Sequence, residues 1–331
     1  MAQNVTSGYS GVCNYGFETT FGTVASSLNR VFGYGVKVST HSRKNNMKAV
    51  YGIGSRNAVT NVAEQYEGSV SFEFNLDADN SAWLRAVLGS APTDAGSGPY
   101  THTYYESNVL SSFSVVVGAN VGTNEYVSTL IGVKVNTATI TAAVNEPVTV
   151  KLDCLYTTET VALTGIPSQV STNGTPLNFA DGVLTVGGVT IGFVKSVELT
   201  VNNNLEMVWG LGSRYAVASV EKTRKYDVKL TAVFSDPTLL LSTFFGKTLP
   251  LSSTDLTVLN PLGVACVLTF DNGATGTASR KVVITLNNLY FNEHSLPLNV
   301  EDVITEDITA YALSCNNIVV TNNNTTDAGT P

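Results

Sequence analysis

The sequence predicts an all-β fold, organised as two tandem β-sandwich or barrel domains with one short helix in each. Three observations indicate this class. Charged residues make up only 13% of the 331 residues, a low share that disfavours long solvated helices. Most apolar residues fall in short runs or alternate with polar residues, as they do in strands. One segment of the first half also recurs in the second half, which predicts that the fold is repeated.

The recurring segment is the strongest signal in the chain. Gly52–Val62 and Gly210–Val220 are identical at seven of eleven positions, at a constant offset of 158 residues. This period is much longer than the 20 to 50 residues of solenoid repeats and indicates a duplicated domain. We therefore expect one domain over residues 1–165, with an N-terminal arm, and a second over residues 166–331. The Asn/Thr-rich end of the second domain, residues 316–331, is expected to be a mobile tail.

Strands are predicted along the whole chain. Ser69–Leu76 alternates between apolar and polar residues, as a half-buried strand does, and its counterpart Asp227–Phe234 starts with the same alternation. The other predicted strands are Ser112–Val117, Gly132–Ile140, Val148–Leu155, Val183–Val186, Val194–Val201, Val264–Phe270, Lys281–Leu289 and Ile304–Tyr311.

One helix is predicted in each half from the chemistry of helix ends. In the second half Asp236 is placed as the N-cap, and Gly246 follows the last turn. In the first half Asp79 or Asn80 takes the capping role and Gly89 ends the helix. Both assignments pair a side-chain acceptor at the start with a glycine that tolerates a left-handed backbone at the end.

The charge balance and the cysteines exclude several classes of protein. The formal net charge is −8, whereas a general nucleic-acid binder needs a basic surface. The four cysteines show no CxxC spacing and are interpreted as buried apolar side chains. The glycines of Gly52-x-Gly54 lack the third glycine of a dinucleotide fingerprint, so a turn is the better interpretation.

No combination of residues points to catalysis or to a cofactor. The three histidines are scattered without the spacing of a zinc site. Asp77–Ser81 lacks the glycine and late glutamate of a calcium loop and is interpreted as helix capping. The acidic pairs Glu301–Asp302 and Glu306–Asp307 are interpreted as a solvated face. We therefore expect no enzyme activity, no metal and no cofactor.

The order of the repeated features resembles a known family. In each half a strand runs into a polar turn, Lys44–Lys48 or Asn202–Glu206, and a GxGSR segment, a strand and a capped helix follow. This order is similar to that of the tail tube proteins of long-tailed viruses of bacteria and archaea, and to the related tubes of contractile injection machines. The resemblance covers residues 31–156 and 190–313.

The resemblance implies a structural virion protein. Each domain of such a protein supplies strands to a shared closed barrel, so a two-domain chain is expected to form trimeric rings with pseudo-sixfold symmetry. The stacked rings form the hollow tail tube through which viral DNA enters the host without specific binding. The implied partners are further copies of the chain, the tape measure protein, the tail tip or baseplate, the terminator protein and, in a contractile tail, the sheath. The implied locations are the virion tail and, during assembly, the host cytoplasm.

Four residues are candidates for a role in such a tube. Arg56 and Arg214 occupy equivalent positions, and a guanidinium suits carboxylate or carbonyl groups across an interface. We expect them to anchor contacts between subunits or rings, with an intramolecular salt bridge as the alternative. Glu73 and Glu198 are candidates to face the lumen, with an ordinary outward-facing charge as the alternative.

A second class of function stays open on the sequence alone. Tandem β-sandwiches also serve as carbohydrate-binding or decoration modules on virions and cell surfaces. Such a module needs exposed aromatic side chains that stack on sugars, and Tyr100–Tyr105 is the candidate segment. A carboxylate-based glycosidase is a third class, although no facing pair of carboxylates is evident.

Overall fold

The computed structural model describes residues 11–121, 124–170, 174–234, 244, 263–298 and 303–325. Its one α-helix in these ranges is α1 (Leu84–Leu88), and short 3-10 turns occur at Ala78–Asn80, Phe179–Asp181 and Gly276–Ala278. The strands are β1 (Gly11–Phe17), β2 (Tyr34–Lys44), β3 (Met47–Tyr51), β4 (Ala58–Ala63), β5 (Glu67–Asn75), β6 (Thr93–Gly96), β7 (Tyr100–Tyr104), β8 (Phe113–Val121), β9 (Asn124–Ala143), β10 (Thr149–Tyr156), β11 (Thr158–Ala162), β12 (Gly182–Val186), β13 (Val189–Ile191), β14 (Val194–Asn202), β15 (Leu205–Val208), β16 (Ala218–Glu221), β17 (Lys225–Val233), β18 (Val264–Asp271), β19 (Lys281–Ser295) and β20 (Thr305–Asn322).

Most of the strands belong to one antiparallel sheet, which confirms the predicted all-β class. The sheet has sixteen strands, and its longest path runs β13-β12-β18-β19-β20-β17-β14-β9-β10-β5-β2. Two further hairpins, β3–β4 and β15–β16, stand apart as two-stranded sheets. In the described residues both halves of the chain therefore lie in one sheet, where the sequence predicts two sandwiches. The reason is the length of β9: β8 pairs with it only up to Val133, which leaves the edge of its last residues for β14.

The core lies on one face of this sheet, as the alternation predicts. In β5 the side chains of Val70, Phe72 and Phe74 are buried, whereas Ser69 and Glu73 lie on the other face. Aromatic side chains fill the first half, with Phe32 stacked on Phe72 at 4.6 Å between ring centroids. All four cysteines are unpaired and buried, as predicted, and burial raises the pKa of Cys13 to about 12.

The predicted helix of the first half is wrong at its start. Asp77, and not Asp79 or Asn80, is the capping residue: its Oδ1 accepts the backbone N–H of Asp79 at 2.9 Å. The cap begins a 3-10 turn, and α1 follows only after Trp83. The helix ends at Gly89, with φ 105°, as predicted. The helix predicted after Asp236 lies outside the described residues, apart from Phe244.

The prediction of a mobile tail is wrong for residues 316–322, which belong to a strand. Strand β20 continues to Asn322, because Ile318 and Val320 alternate with polar residues and are buried. The Asn322 side chain is fully buried and donates to the carbonyl of Ala78 at 2.8 Å. The polar composition of this segment therefore hides a strand. No helix among the residues described is both long and apolar enough to cross a bilayer.

The two halves share a strand order and a register. The order β2-β5-β10-β9 in the first half matches β14-β17-β20-β19 in the second. Asn75 lies opposite Thr149, and Val233 lies opposite Thr305, which is the same pairing shifted by 158 and 156 residues. A β-bulge is also repeated. Asn136 of β9 has no paired residue in β10, and Asn292 of β19, 156 residues later, has no paired residue in β20.

Candidate assembly surfaces

The junction between the halves is a strand pair, β9 with β14. It runs from Ala143 opposite Ser196 to Thr137 opposite Asn202. Beyond this pair the bulged residue Asn136 accepts two further backbone hydrogen bonds: its carbonyl takes the N–H of Asn203 at 2.8 Å, and its Oδ1 takes the N–H of Leu205 at 2.9 Å. The bulge thus frees one residue of β9 to bind the chain that leaves β14.

A buried asparagine completes the junction. The Nδ2 of Asn203 donates to the carbonyls of Val87 and Val135, and its Oδ1 accepts from Arg224 at 2.7 Å. Arg224 also donates to the carbonyls of Leu88 and Ser107, so the last carbonyls of α1 receive donors. Neither Asn136 nor Arg224 is predicted by the sequence.

The hairpin of the second half rests on the first half. Arg214, beside the β15–β16 turn, donates from Nε to the carbonyl of Glu64 at 2.8 Å and from Nη2 to Asn45 Oδ1 at 3.1 Å. The N–H of Tyr66 donates to the carbonyl of Arg214 at 2.7 Å, and the Trp209 indole donates to the carbonyl of Tyr66 at 3.2 Å. The predicted carbonyl contacts of Arg214 are therefore made inside the chain.

Arg56 is the equivalent residue of the β3–β4 hairpin, and its surroundings differ. The side chain is exposed and forms no hydrogen bond or ion pair with the described residues. The sequence identifies both arginines as equivalent, and the structure places both beside a hairpin turn. The Arg214 side chain contacts the first half of the chain, whereas the Arg56 side chain faces solvent.

The tips of the two hairpins are unusually apolar. Ile53 and Leu211 are fully exposed at equivalent positions, each between two glycines. Gly54 and Gly212 have φ values of 88° and 92°, which confirms the predicted glycine turns. Fully exposed aliphatic side chains at matched sites are typical of contact surfaces. Other large exposed apolar residues on these hairpins are Met47, Val50, Tyr51, Val59, Val62, Val208, Tyr215, Val217 and Val220.

The face of the main sheet opposite the core is polar. A row of directly opposed residues crosses it: Glu73, Lys151, Thr139, Thr200 and Asp227. We call this side the polar face; it also includes the row with Thr141, Glu198 and Lys229.

Glu73 and Glu198 share the polar face, and each is paired with a lysine. The distances are 2.7 Å from Lys37 Nζ to Glu73 Oε1 and 2.8 Å from Lys229 Nζ to Glu198 Oε1. The hydrogen bond to Glu198 raises the pKa of Lys229, which keeps that lysine charged. The polar face thus presents hydroxyl groups, two lysine–glutamate ion pairs and the carboxylate of Asp227.

The segment considered for sugar binding is built differently. Tyr100–Tyr104 is strand β7, and the side chains of Tyr104 and His102 are fully buried. His102 lies between Asp94, 2.7 Å from Nδ1, and Asn322 Oδ1, 2.9 Å from Nε2. This arrangement ties the first half to strand β20 and offers no row of exposed rings.

Glu306 and Asp307 each lie in a structural pair, and Glu306 is buried, which contradicts its interpretation as part of a solvated face. Glu306 is 3.0 Å from the Nε2 of His294, and Asp307 accepts from the Thr231 hydroxyl at 2.7 Å. Glu301 and Asp302 lie outside the described residues. Within the described ranges, no group of three or more potential metal ligands occurs.

Comparison with known proteins points to one family. The sequence profile of the family described as "Phage tail tube protein" matches residues 8–312. No curated protein matches the chain. The matched range includes both hairpins, the polar face and the junction between the halves.

Proposed function

Because the chain belongs to the phage tail tube protein family, we propose that it polymerises as trimeric, pseudo-hexameric rings that stack into the hollow tail tube of a virion. The family is a structural one, and its members are located in the virion tail. Viral DNA passes through the tube into the host. Assembly takes place in the host cytoplasm, on the tail tip or baseplate. The tape measure protein, a terminator protein and, in a contractile tail, a sheath are its partners.

The observation that supports the ring is the junction between β9 and β14. Residues 1–165 and 166–331 act as two tandem domains, and the chain satisfies one domain-to-domain contact internally. In the described part of the chain, the equivalent outer strand β2 pairs only with β5. Exposed strand edges promote association, and closure into a barrel removes them. Three chains joined in this way give six domains around the axis.

Stacking uses the hairpin tips. Ile53 and Leu211 project from equivalent hairpins, so a ring presents six exposed aliphatic side chains at one level. A contact between unlike ends of successive rings does not close, and therefore it propagates as a filament. Burying six such side chains per ring interface stabilises the stack, since each contributes about 1.5–3 kcal/mol on full burial.

The polar face lines the lumen. Lys37 and Lys229 are held by Glu73 and Glu198, and Lys151 is held by Asp153 at 3.1 Å, so these cations do not face the DNA unpaired. Lysine and arginine side chains bind DNA by neutralising its phosphate groups and releasing the counterions condensed on it. Lysines that are already paired with carboxylates provide little of that binding. DNA then slides along a surface of hydroxyl groups and neutralised pairs.

Between two subunits, Arg56 makes a contact equivalent to the one that Arg214 makes within a single subunit. Arg214 binds the carbonyl of Glu64 and the side chain of Asn45. A shift of 158 residues converts Glu64 into Lys222, whose carbonyl is the corresponding acceptor, whereas the counterpart of Asn45 is Asn203, which is buried and already bound by Arg224. Arg56 of one subunit therefore approaches the base of the second hairpin in the neighbouring subunit.

The test is the state of the purified protein as its concentration rises. We expect sedimentation velocity to show trimers and then large polymers, and negative-stain micrographs to show hollow fibres. A protein that stays monomeric at every concentration and binds glycans on an array contradicts the proposal and favours a decoration module.

A further inference from the structure

We infer that the contact between neighbouring subunits, which rests on the proposed ring, copies the register of the internal β9–β14 junction. Strand β2 of one subunit takes the place of β14, and the end of β19 of the next takes the place of β9. The occupant of each exposed edge is thus a second copy of this chain. The contact is fixed residue by residue.

The register follows from the offsets between the halves. Residues 198–202 of β14 correspond to residues 40–44 of β2 at an offset of 158, since Asn202 opposite Lys225 matches Lys44 opposite Glu67; before Thr40 the register of β2 shifts by one residue. Residues of β9 correspond to residues of β19 at an offset of 156. The internal pair Asn202–Thr137 therefore becomes Lys44 opposite Glu293. The internal pair Thr200–Thr139 becomes Ser42 opposite Ser295.

The end of β19 is prepared for such a partner. Strand β18 pairs with β19 only as far as Leu289, so in the described residues the same edge has no partner strand from Asn292 to Ser295. Asn292 is the bulged residue there, and it is exposed. It occupies the position of Asn136, whose carbonyl and Oδ1 each accept a backbone N–H.

The matching donors lie just after β2. Asn45 and Met47 correspond to Asn203 and Leu205, the residues whose N–H groups bind Asn136. The residue between them, Asn46, has φ 45°, and its counterpart Asn204 has φ 47°. The chain therefore leaves β2 through the same left-handed turn as it leaves β14, and it presents the same two N–H groups in the same geometry.

Charge and the position of a proline favour this register. Lys44 faces Glu293, a pair of opposite charges directly across the strands. Pro297 falls opposite Thr40, one pair beyond Leu296 opposite His41. In the internal junction, hydrogen bonds join Asn136 with Asn203 and Val144 with Lys195. Hydrogen-bonded and non-hydrogen-bonded pairs alternate along an antiparallel ladder. The pair Thr141–Glu198, which is the internal equivalent of Pro297 opposite Thr40, is therefore non-hydrogen-bonded. The missing N–H of proline is therefore not needed by the partner strand.

Disulfide cross-linking of the full chain tests the register. The Ser42–Ser295 pair is also non-hydrogen-bonded, so its Cα atoms are expected about 4.5 Å apart, which falls within the range of about 4.4–6.8 Å that a disulfide spans. The test variant is Ser42→Cys with Ser295→Cys, oxidised after assembly and separated on a non-reducing gel. The control, Ser42→Cys with Glu293→Cys, is displaced by two residues along β19. The native cysteines are buried, and the unsubstituted chain controls for them.

The expected result is a covalent ladder that ends at the trimer for the test variant, with at least tenfold less cross-linking for the control. Lys44→Cys with Glu293→Cys is expected to give the same ladder. Cross-linking of the control instead, or no cross-linking in rings verified by microscopy, overturns the register while the proposed function stands. If the unsubstituted chain forms no rings, the proposed function fails and the inference fails with it.

Discussion

At the scale of single residues, two arginines of the same repeat have different surroundings. Arg214 binds carbonyl and amide oxygens of the first half, whereas Arg56 faces solvent. A residue that completes a contact inside the chain contributes to folding. A residue whose contact lies across a subunit boundary contributes only to assembly. The two substitutions to alanine should therefore separate these effects.

The first prediction compares those substitutions. We expect Arg214→Ala to lower the free energy of unfolding by about 1 kcal/mol, because hydrogen bonds to carbonyl groups are lost. We expect Arg56→Ala to leave it within about 0.5 kcal/mol of the unsubstituted protein and to raise the concentration needed for ring formation about tenfold. Urea unfolding and sedimentation velocity measure the two effects. Unchanged assembly of Arg56→Ala would contradict the role of this residue.

The second prediction concerns pH and the ion pair of Lys134 with Glu221, which are 2.6 Å apart. Burial raises the pKa of Glu221, but hydrogen bonds from Lys134 and from the N–H of Leu110 lower it more, so the net pKa lies below 4.5. A lowered carboxyl pKa stabilises the fold fully above 4.5, and this contribution is lost as pH falls through the folded value.

The measurement is the difference in unfolding free energy between the unsubstituted protein and Glu221→Gln. We expect about 2 kcal/mol near neutral pH and a shrinking difference as the pH falls below about 4.5. Glu198→Gln is the matched control, because its ion pair is more exposed and contributes at most about 1 kcal/mol. A difference for Glu221→Gln that does not change with pH would exclude the proposed linkage.

The sequence predicts the arginine pair and not Asn136 or Arg224. Arg56 and Arg214 lie inside a segment whose identity survives in both halves. Asn136 acts through a bulge, and a bulge depends on the pairing of β9 with β10, which no local pattern records. Arg224 acts on the carbonyls of a helix that lies far away in the sequence.

At the scale of elements, the hairpins β3–β4 and β15–β16 are the parts of the fold least explained by the monomer. Each exposes an aliphatic tip that a folded monomer does not need. Neither hairpin joins the main sheet. Their conformation is set locally by glycines, and we assign their apolar surface to contacts between rings.

The third prediction concerns a double variant that places a carboxylate at both hairpin tips, Ile53→Asp with Leu211→Asp. We expect unchanged unfolding and unchanged trimers, because both side chains are already in water, and a loss of fibres, because a carboxylate at each tip opposes burial. Micrographs and sedimentation measure both levels of assembly. Val189→Asp, at an exposed site in strand β13, is the control, because β13 pairs only with β12 in the described residues and with neither hairpin. Normal fibres from the tip variant would exclude the hairpins from the contact between rings.

The sequence predicts elements well where one face is buried. The predicted strand Ser69–Leu76 covers most of β5 (Glu67–Asn75), and the predicted strand Val264–Phe270 covers most of β18. It predicts ends poorly, since Asp77 takes the capping role that Asp79 or Asn80 was expected to have. It also takes the Asn/Thr-rich end of β20 for a tail, because composition outweighs the alternation there.

At the scale of the whole molecule, the central feature is one sheet that runs through both halves. Sequence patterns show which residues form strands but not which strands become neighbours, because pairing depends on contacts between distant segments. The repeat predicts two like units, and the pairing of β9 with β14 joins them. We propose that the same pairing between chains turns the repeated unit into a ring.

The number of chains in one assembled ring, seen in end-on class averages by electron cryomicroscopy, tests the proposed ring most directly. We expect trimeric rings with pseudo-sixfold symmetry and one sheet continuous across every boundary between chains. Rings of six whole chains, or rings in which each chain closes its own sheet without pairing to the next, would contradict it.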